Sequence, residues 1–404
     1  MTNMRKGDHR LIQELNRSKV LNHIRREGPI SRIALAKQNG ISPSTVASAV
    51  QELIKEGYVS EIGPGRSSGG RKPILLRFNP DHHHLIAVAI TNSRMLLARM
   101  NLEARVLAKA EYPISGVKGE AVAEFLVEHL DRFLTEDGVQ STCIGISVTV
   151  PGIVRSDEGI VLYNTKLGMN RVPLKRMLES RYGMKVWLEN DMNSVVLAER
   201  QFGKYAYANL IYISIGDGLG SGILINETLL HGKHGGAGEF GHTSVNRGGV
   251  RCECGNVGCL DSYISWMAVY SRILTALTSG RTTQINELTG GDYTRIVPEV
   301  YKEALRRGDR LALDINEEVA DHLGAAIVNL INMFNPEALV LGGEMGRDNE
   351  ALLEKVRLYI NKHAMPILRE DLVFGMTSLG EDDKLIGAAA VLLQDLFGFS
   401  LMES

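Results

Sequence analysis

Cysteine is scarce, with four residues in 404. So sparse a set excludes a disulfide-stapled secreted scaffold. No run of 18 apolar residues occurs, which excludes a membrane-spanning helix of ordinary length. The opening MTNMRKGDHRLIQEL lacks the apolar stretch of a secretory signal, so a cytoplasmic protein with no membrane partner is expected. No short tandem repeat is present, which argues against a solenoid. A strong overall charge is also missing, since the formal net charge is −2.

That balance conceals an asymmetry. Residues 1–80 carry 14 Lys and Arg against 6 Asp and Glu, while the rest of the chain carries 31 against 41. A basic front on an acidic body predicts that only the front meets a polyanion. With 44% hydrophobic and 23% charged residues, the chain reads as soluble and globular. Its length predicts two or three domains.

Helical periodicity runs through residues 9–27, and a Gly28-Pro29 break follows. Residues 31–38 predict a short second helix ended by Asn39-Gly40. Ser42 then reads as an N-cap with Pro43 at the first helical position, opening a third helix to about Glu56. Its apolar positions Val46, Ala49, Val50, Leu53 and Ile54 are three and four apart. Two helices joined by a glycine turn match a helix-turn-helix, the second being the one that enters the major groove. Ser42, Ser44, Thr45, Ser48 and Gln51 are the polar side chains placed to touch DNA there. The segment GPGRSSGGRKP at 63–73 and the strand ILLRF complete a wing. Its Arg66, Arg71 and Lys72 suit a narrow, A·T-rich minor groove.

A boundary is expected near Asn79-Pro80. Beyond it strands and helices alternate, which predicts an α/β body. Ile86–Met100 and Val106–Pro113 read as a hairpin, 119–136 as a helix, and Cys143–Val150 as a buried strand. Leu210–Ile215, Gly222–Asn226 and Ala338–Leu341 read as further strands, and 313–334 as a long helix. The body is long enough for two lobes around a cleft.

Three of the four cysteines fall within eight residues. With His242 they spell H-x9-C-x-C-x4-C, through Cys252, Cys254 and Cys259. Thiolate and imidazole donors at this count suit tetrahedral zinc. Four protein ligands leave no open position, so one structural Zn2+ per chain is expected. Cys143, in an apolar strand, reads as a core residue.

The motifs VPGIV (150–154), LENDMNSVVLAE (188–199), GAGEFGH (236–242), CECGNVGCLD (252–261) and LGGEMG (341–346) resemble those of the ROK family of repressors and sugar kinases. The resemblance covers nearly the whole chain and is closest in layout to the xylose-, N-acetylglucosamine- and Mlc-type repressors. It implies a winged helix-turn-helix over 1–80, then a two-lobed, actin-like, sugar-kinase-like body. The first lobe would span 81–200, with a C-terminal helix at about 385–404 returning to it. The second lobe, 201–384, would carry the zinc motif and an oligomerisation surface. In the family's kinases an Asn-Asp pair holds the sugar and the Asp is the base; here these are Asn190 and Asp191. Glu239 would bind ring hydroxyls, and His242 would turn one nitrogen to zinc and the other to sugar. Asp261 stands where the family often has Glu, and Gly152 and Thr165 would line the pocket.

The departures from the kinase pattern separate repressor from enzyme. The first phosphate loop of a family kinase reads D-x-G-G-T; the matching residues here are Ala89, Thr91, Asn92 and Ser93. The second, usually G-T-G-x-G-G-G, reads GDGLGSG at 216–222, with Asp217 in place of Thr. Phosphoryl transfer depends on charge stabilisation at that spot, so no catalysis is expected. Met169 takes a usual Trp position in the sugar loop, and Lys166 stands near a usual Asn. The effector class therefore stays open among pentoses, hexoses, N-acetylated amino sugars and phosphosugars. The resemblance implies a repressor of sugar-utilisation genes that binds a pseudo-palindromic double-stranded operator as a homodimer or tetramer. The alternatives are an active ROK kinase with an appended DNA-binding domain, and a repressor governed by a protein partner.

Overall fold

The computed structural model describes residues 9–64, 72–137 and 142–398. Arg66 and Arg71 of the expected wing contacts lie outside the described residues, as does the part of the expected C-terminal helix beyond residue 398.

The chain opens with α1 (His9–Glu27), β1 (Ile30–Ser31), α2 (Arg32–Asn39), α3 (Pro43–Lys55), β2 (Val59–Pro64) and β3 (Ile74–Phe78). Local chemistry sets the helix limits. Ser31 Oγ accepts from the Ala34 amide to start α2, and Gly40 ends it in the left-handed region at φ 63°. Ser42 Oγ accepts from the Thr45 amide, with Pro43 opening α3. The wing strands β2 and β3 are antiparallel, and β1 pairs along the other edge of β3. Two residues of strand leave no periodic signal, so β1 was not foreseen.

The body begins with β4 (His84–Ile90), β5 (Arg94–Asn101) and β6 (Val106–Pro113), a three-stranded antiparallel meander. The expected single hairpin is thus corrected. The apolar run Ile86–Met100 is itself two strands, bent at Thr91–Ser93. Next come α4 (Ala121–Asp137), β7 (Cys143–Val150), β8 (Ile153–Arg155), β9 (Ile160–Asn164), β10 (Met169–Val172), α5 (Leu174–Tyr182) and β11 (Val186–Asn190). Five of these strands form one sheet in the order β11-β7-β4-β5-β6. All seven residues of β4 are buried, as expected of a strand covered on both faces. Its Ile86, Val88 and Ile90 pack with Val122, Leu126 and Leu130 of α4.

Helix α6 (Asp191–Phe202) leads to the second half: β12 (Leu210–Ile215), β13 (Leu219–Ile225) and β14 (Thr228–Leu229). The second of these starts at Leu219, three residues before the expected Gly222, because glycines at 220 and 222 mask its alternation. Helices α7 (Asp261–Ile264), α8 (Trp266–Thr278), α9 (Gln284–Thr289), α10 (Pro298–Arg306) and α11 (Arg310–Phe334) follow. Then come β15 (Ala338–Gly342), α12 (Gly343–Gly346), α13 (Glu350–His363), α14 (Pro366–Arg369), β16 (Val373–Met376) and α15 (Asp383–Phe397). The second sheet has the order β14-β13-β12-β15-β16. Both sheets therefore repeat one plan, with a meander whose first strand is central, extended by two parallel strands. No sequence repeat betrays it, because the plan lies in strand order rather than residue identity.

Helix α15 packs on α6 and across β4, β7 and β11. Its Leu385, Leu392, Leu393 and Phe397 join one apolar cluster with Val20 and Ile24 of α1 and Leu53 of α3. The core of the winged helix is thus continuous with that of the body.

Candidate functional site

The Asn190-Asp191 pair lies where β11 ends and α6 begins. Asn190 is the N-cap: its Oδ1 accepts from the Met192 and Asn193 amides at 2.8 and 3.1 Å, and its Nδ2 donates to Gly152 O at 2.8 Å. An amide has two N–H donors, so one remains for a ligand. Gly152 has φ 96°, and a Cβ there would sit 2.4 Å from Tyr163 O; only glycine lets this turn pack against β9. Asp191 is buried, with Oδ1 accepting from the Met192 amide at 3.1 Å. Burial pushes its carboxyl above the ordinary value, against the pull of Lys384, and Glu239 is near enough to push the same way.

Glu239 comes from the second half, ahead of the turn Phe240–His242. Its carboxyl also lies above the usual range because of burial. Its Oε2 is 3.9 Å from His242 Nε2, too far for a hydrogen bond. Asp261, at the start of α7, accepts from the Leu219 amide at 2.7 Å, so one of its oxygens braces the β12–β13 turn. Burial raises its carboxyl too, against the Leu219 N–H and the Lys166 charge. Six of the expected ligand residues are thereby brought together: Gly152 with Asn190, Asp191 with Glu239, Glu239 with His242, and His242 with Asp261. Thr165 is exposed in the β9–β10 turn. Its neighbour Lys166 reaches across to donate to Asp217 O at 3.1 Å.

His242 has two faces. Its Nδ1 is 3.7 Å from Cys252 Sγ, while Nε2 points toward Glu239. Cys254 Sγ and Cys259 Sγ are 3.6 Å apart, and all four donor atoms lie within 4.8 Å of one another. A tetrahedral ion bonded at about 2.3 Å to sulfur spaces its ligands by about 3.8 Å, so the cluster fits a metal ion. The hairpin that builds it closes through Cys252 N–H to Asn256 O and Gly258 N–H to Val250 O. A Cβ at Gly258 would meet Asn246 O at 1.7 Å. Cys143 stands apart as a half-buried thiol in β7, raised by burial.

The β4–β5 and β12–β13 turns, where the resemblance places the phosphate loops, are braced by the chain's own groups. At β4–β5, Thr91 Oγ1 donates to Arg94 O and accepts from the Ser93 and Arg94 amides. Arg94 bridges Glu111 at 3.1 Å and, across the cleft, Glu344 of α12 at 3.2 Å. At β12–β13, Gly216 N–H donates to Gly218 O at 3.0 Å.

On α3, Ser44, Ser48 and Gln51 are exposed along one face, and Ser42 is exposed at its start. Thr45 is half-buried, and its hydroxyl is engaged with Ser42 at 2.8 Å. Lys72 is exposed at the foot of the wing. Several working residues escaped sequence reasoning. Asn164, Glu189, His231, Arg94 and Glu344 all make contacts between distant segments, and no local spacing marks them. Asn164, for instance, holds the β9–β10 loop by donating to Pro151 O and accepting from the Leu167 amide.

The ROK family pattern matches residues 85–395, and a winged helix-turn-helix DNA-binding pattern matches residues 14–60. The chain is 31% identical to the xylose repressor of Caldicellulosiruptor bescii, over 97% of this chain and 99% of that one. It is 29% identical to the N-acetylglucosamine repressor of Escherichia coli, over 98% and 97% respectively. A solved ROK family transcriptional regulator, described as a homologue of the Escherichia coli MLC protein, superposes with a TM-score of 0.85. It is 28% identical and covers 97% of this chain and 98% of its own. A ROK family glucokinase from Streptomyces griseus, solved with glucose and AMPPNP, gives 0.67 at 27% identity, covering 76% of this chain and 98% of its own.

Proposed function

The chain belongs to the ROK family, and from that premise we propose that it is a sugar-responsive transcription repressor that binds its ligand without phosphorylating it. The observation that carries this reading is the state of the β4–β5 turn. Its amides at Ser93 and Arg94 are satisfied by Thr91, so they are not free to cradle phosphate. The buried Oδ1 of Asn92 has no donor among the described residues, and a phosphate oxygen is an acceptor that supplies none. Glu344 adds a carboxylate on the facing wall. Transferring a phosphoryl group needs positive charge and free donors at that place.

The ligand side reads differently. Asp191 and Glu239 offer acceptors for hydroxyls, and Asn190 one donor, the mixed set that orients a polyhydroxylated molecule. Asp191 then serves as an acceptor rather than as a base. Thr165 and Gly152 shape the wall, Asp261 braces it, and His242 presents Nε2. The cluster of His242, Cys252, Cys254 and Cys259 would hold zinc, which supplies a fixed structural anchor for the His242 ring. The regulated genes on this reading serve sugar utilisation.

Helix α15 supports a route from ligand to DNA. Its first turn brings Lys384 near Asp191. At its far end, Phe397 O accepts from Asn22 Nδ2 at 2.7 Å and Ser18 Oγ at 3.2 Å, both on α1. The Arg25 guanidinium lies 4.2 Å over the Phe397 ring. Sugar closing the cleft would shift α15, and α15 would reset the winged helix. In a dimer this changes the spacing of the two α3 helices on a pseudo-palindromic operator. Tenfold release requires about 1.4 kcal/mol of coupling. On α3, Ser42, Ser44, Thr45, Ser48 and Gln51 would contact the major groove, and Arg66, Arg71 and Lys72 an A·T-rich minor groove.

The test is a binding titration on a duplex that the protein itself selects from a random pool. D-xylose, D-glucose and N-acetyl-D-glucosamine are added in turn. Release by at least one sugar is expected, and sugar-independent binding across a wider panel would contradict the reading.

A further inference from the structure

The two parts of the ligand site come from different sheets. Asn190 and Asp191 sit at the end of β11, whereas Glu239 and His242 sit in the loop that leaves β14. One buried carboxylate ties them. Glu189, the residue before Asn190, is 4% exposed. Its Oε1 accepts from the Asn190 amide at 2.8 Å and from Asn193 Nδ2 at 3.1 Å. Its Oε2 pairs with His231 Nε2 at 2.8 Å. A carboxylate only accepts, so Nε2 carries the proton. His231 O in turn accepts from the Ala237 amide at 3.1 Å, closing the loop that delivers Glu239. A path from Asp191 to Glu239 thus runs through this side-chain pair, with three hydrogen bonds joined by the chain itself from Asn190 to Asp191 and from Ala237 to Glu239.

We propose that Glu189 and His231 are the positioning residues of the ligand site, setting the distance between the Asn190-Asp191 turn and the Glu239 loop and thereby the affinity for ligand. The inference rests on the sugar-site reading given above. Neither side chain need touch the ligand. Removing the His231 donor leaves one oxygen of Glu189 buried and unpaired, a state that a buried charged group leaves by moving. The movement would fall on Asn190, whose amide donates to the same carboxylate, and on the loop to Glu239. Ligand groups spread over two sheets then lose their common geometry, as outer partners do when they cease to orient a binding group. His231 is itself 39% exposed, but its partner Glu189 is buried, whereas Arg94 and Glu344 are both half-exposed, so the Arg94 bridge is expected to count for less.

The experiment is calorimetric titration of full-length protein with D-xylose, D-glucose and N-acetyl-D-glucosamine, using wild type, His231→Ala, His231→Phe, His231→Gln and Asp191→Asn. His231→Phe keeps the ring volume without the donor, and it replaces His231→Ala should that variant not fold. His231→Gln restores an N–H. The expected result is a dissociation constant raised about tenfold or more without the donor, and wild-type affinity within about threefold for His231→Gln. Equal affinity in wild type and His231→Phe, with Asp191→Asn defective, overturns the proposal and leaves the sugar-site reading standing. So does an equal loss in His231→Phe and His231→Gln, which marks a packing role only. Absence of binding by wild type to all three sugars overturns the sugar-site reading and this proposal with it.

Discussion

At one end of the cleft, Asp191 and Glu239 hold carboxyl oxygens with few partners of their own; at the other, Thr91 ties up the amides of the β4–β5 turn. Both ends draw on both sheets, one through the β11–α6 junction and the loop after β14, the other through the β4–β5 and β12–β13 turns. What differs is where hydrogen-bonding capacity is left unspent. A site that recognises a ligand keeps donors and acceptors available and desolvated, and burial raises Asp191, Glu239 and Asp261 accordingly. A turn that has become structural satisfies itself. On the proposed reading the contrast would separate binding from catalysis within one fold, because rate comes only from contacts made in the transition state.

The largest effect is expected from the support beneath the ligand end. Cys254→Ser should abolish stoichiometric zinc and cost about 3 kcal/mol or more of stability. Metal analysis and differential scanning calorimetry read both. A zinc-free wild type with an unshifted melting point in the variant would detach the cluster from the site.

Asp191→Asn comes next. Sugar affinity should fall about tenfold or more, while operator affinity without sugar changes less than about twofold. The raised Asp191 carboxyl adds a pH signature. Its folded value exceeds its unfolded one, so the folded state gains stability from this group as pH falls through the raised value. Sugar binding moves the other way, because the protonated group accepts a hydroxyl poorly. Affinity should therefore start to fall on acidification above the ordinary carboxylate range. The faces of Lys384 and Glu239 toward this group are shared by wild type and Asp191→Asn, so their difference isolates it. A parallel pH profile in the variant would contradict the assignment.

Much of this was legible in the sequence. Ser42-Pro43 announced α3 because caps act within one turn, and the metal cluster was legible because its ligands are close in the chain. The pairs Glu189–His231 and Arg94–Glu344 were not, since residues 42 and 250 positions apart meet only through sheet order. The β4–β5 turn was half legible. Its lost glycines argued against phosphate, but the Thr91 hydrogen bonds that close it needed coordinates. Asp261 likewise read as a ligand, whereas one of its oxygens is spent on the Leu219 amide.

A smaller effect is expected away from the cleft. Lys72→Ala should weaken DNA binding most on duplexes with A·T runs beside the major-groove contacts, and would reduce the salt slope by about one if the residue touched backbone instead. Gln51→Ala should instead change which bases are preferred. Titrations at several salt concentrations separate the two. Smallest of all should be Thr91→Gly combined with Arg94→Ala. Opening that turn is expected to leave sugar affinity within about twofold and to create no phosphorylation, because Asn92, Asp217 and Glu344 remain. Sugar-dependent ATP hydrolysis in the double variant would show the phosphate end to be closer to competence than its hydrogen bonds imply.

The most direct measurement follows labelled ATP and operator occupancy in the same samples of wild-type protein, across a panel of pentoses, hexoses and N-acetylated amino sugars. The account predicts a sugar that releases the operator while no labelled phosphosugar forms. Phosphorylation of any sugar at about 1 per second or faster, a rate ordinary for enzymes, would contradict it.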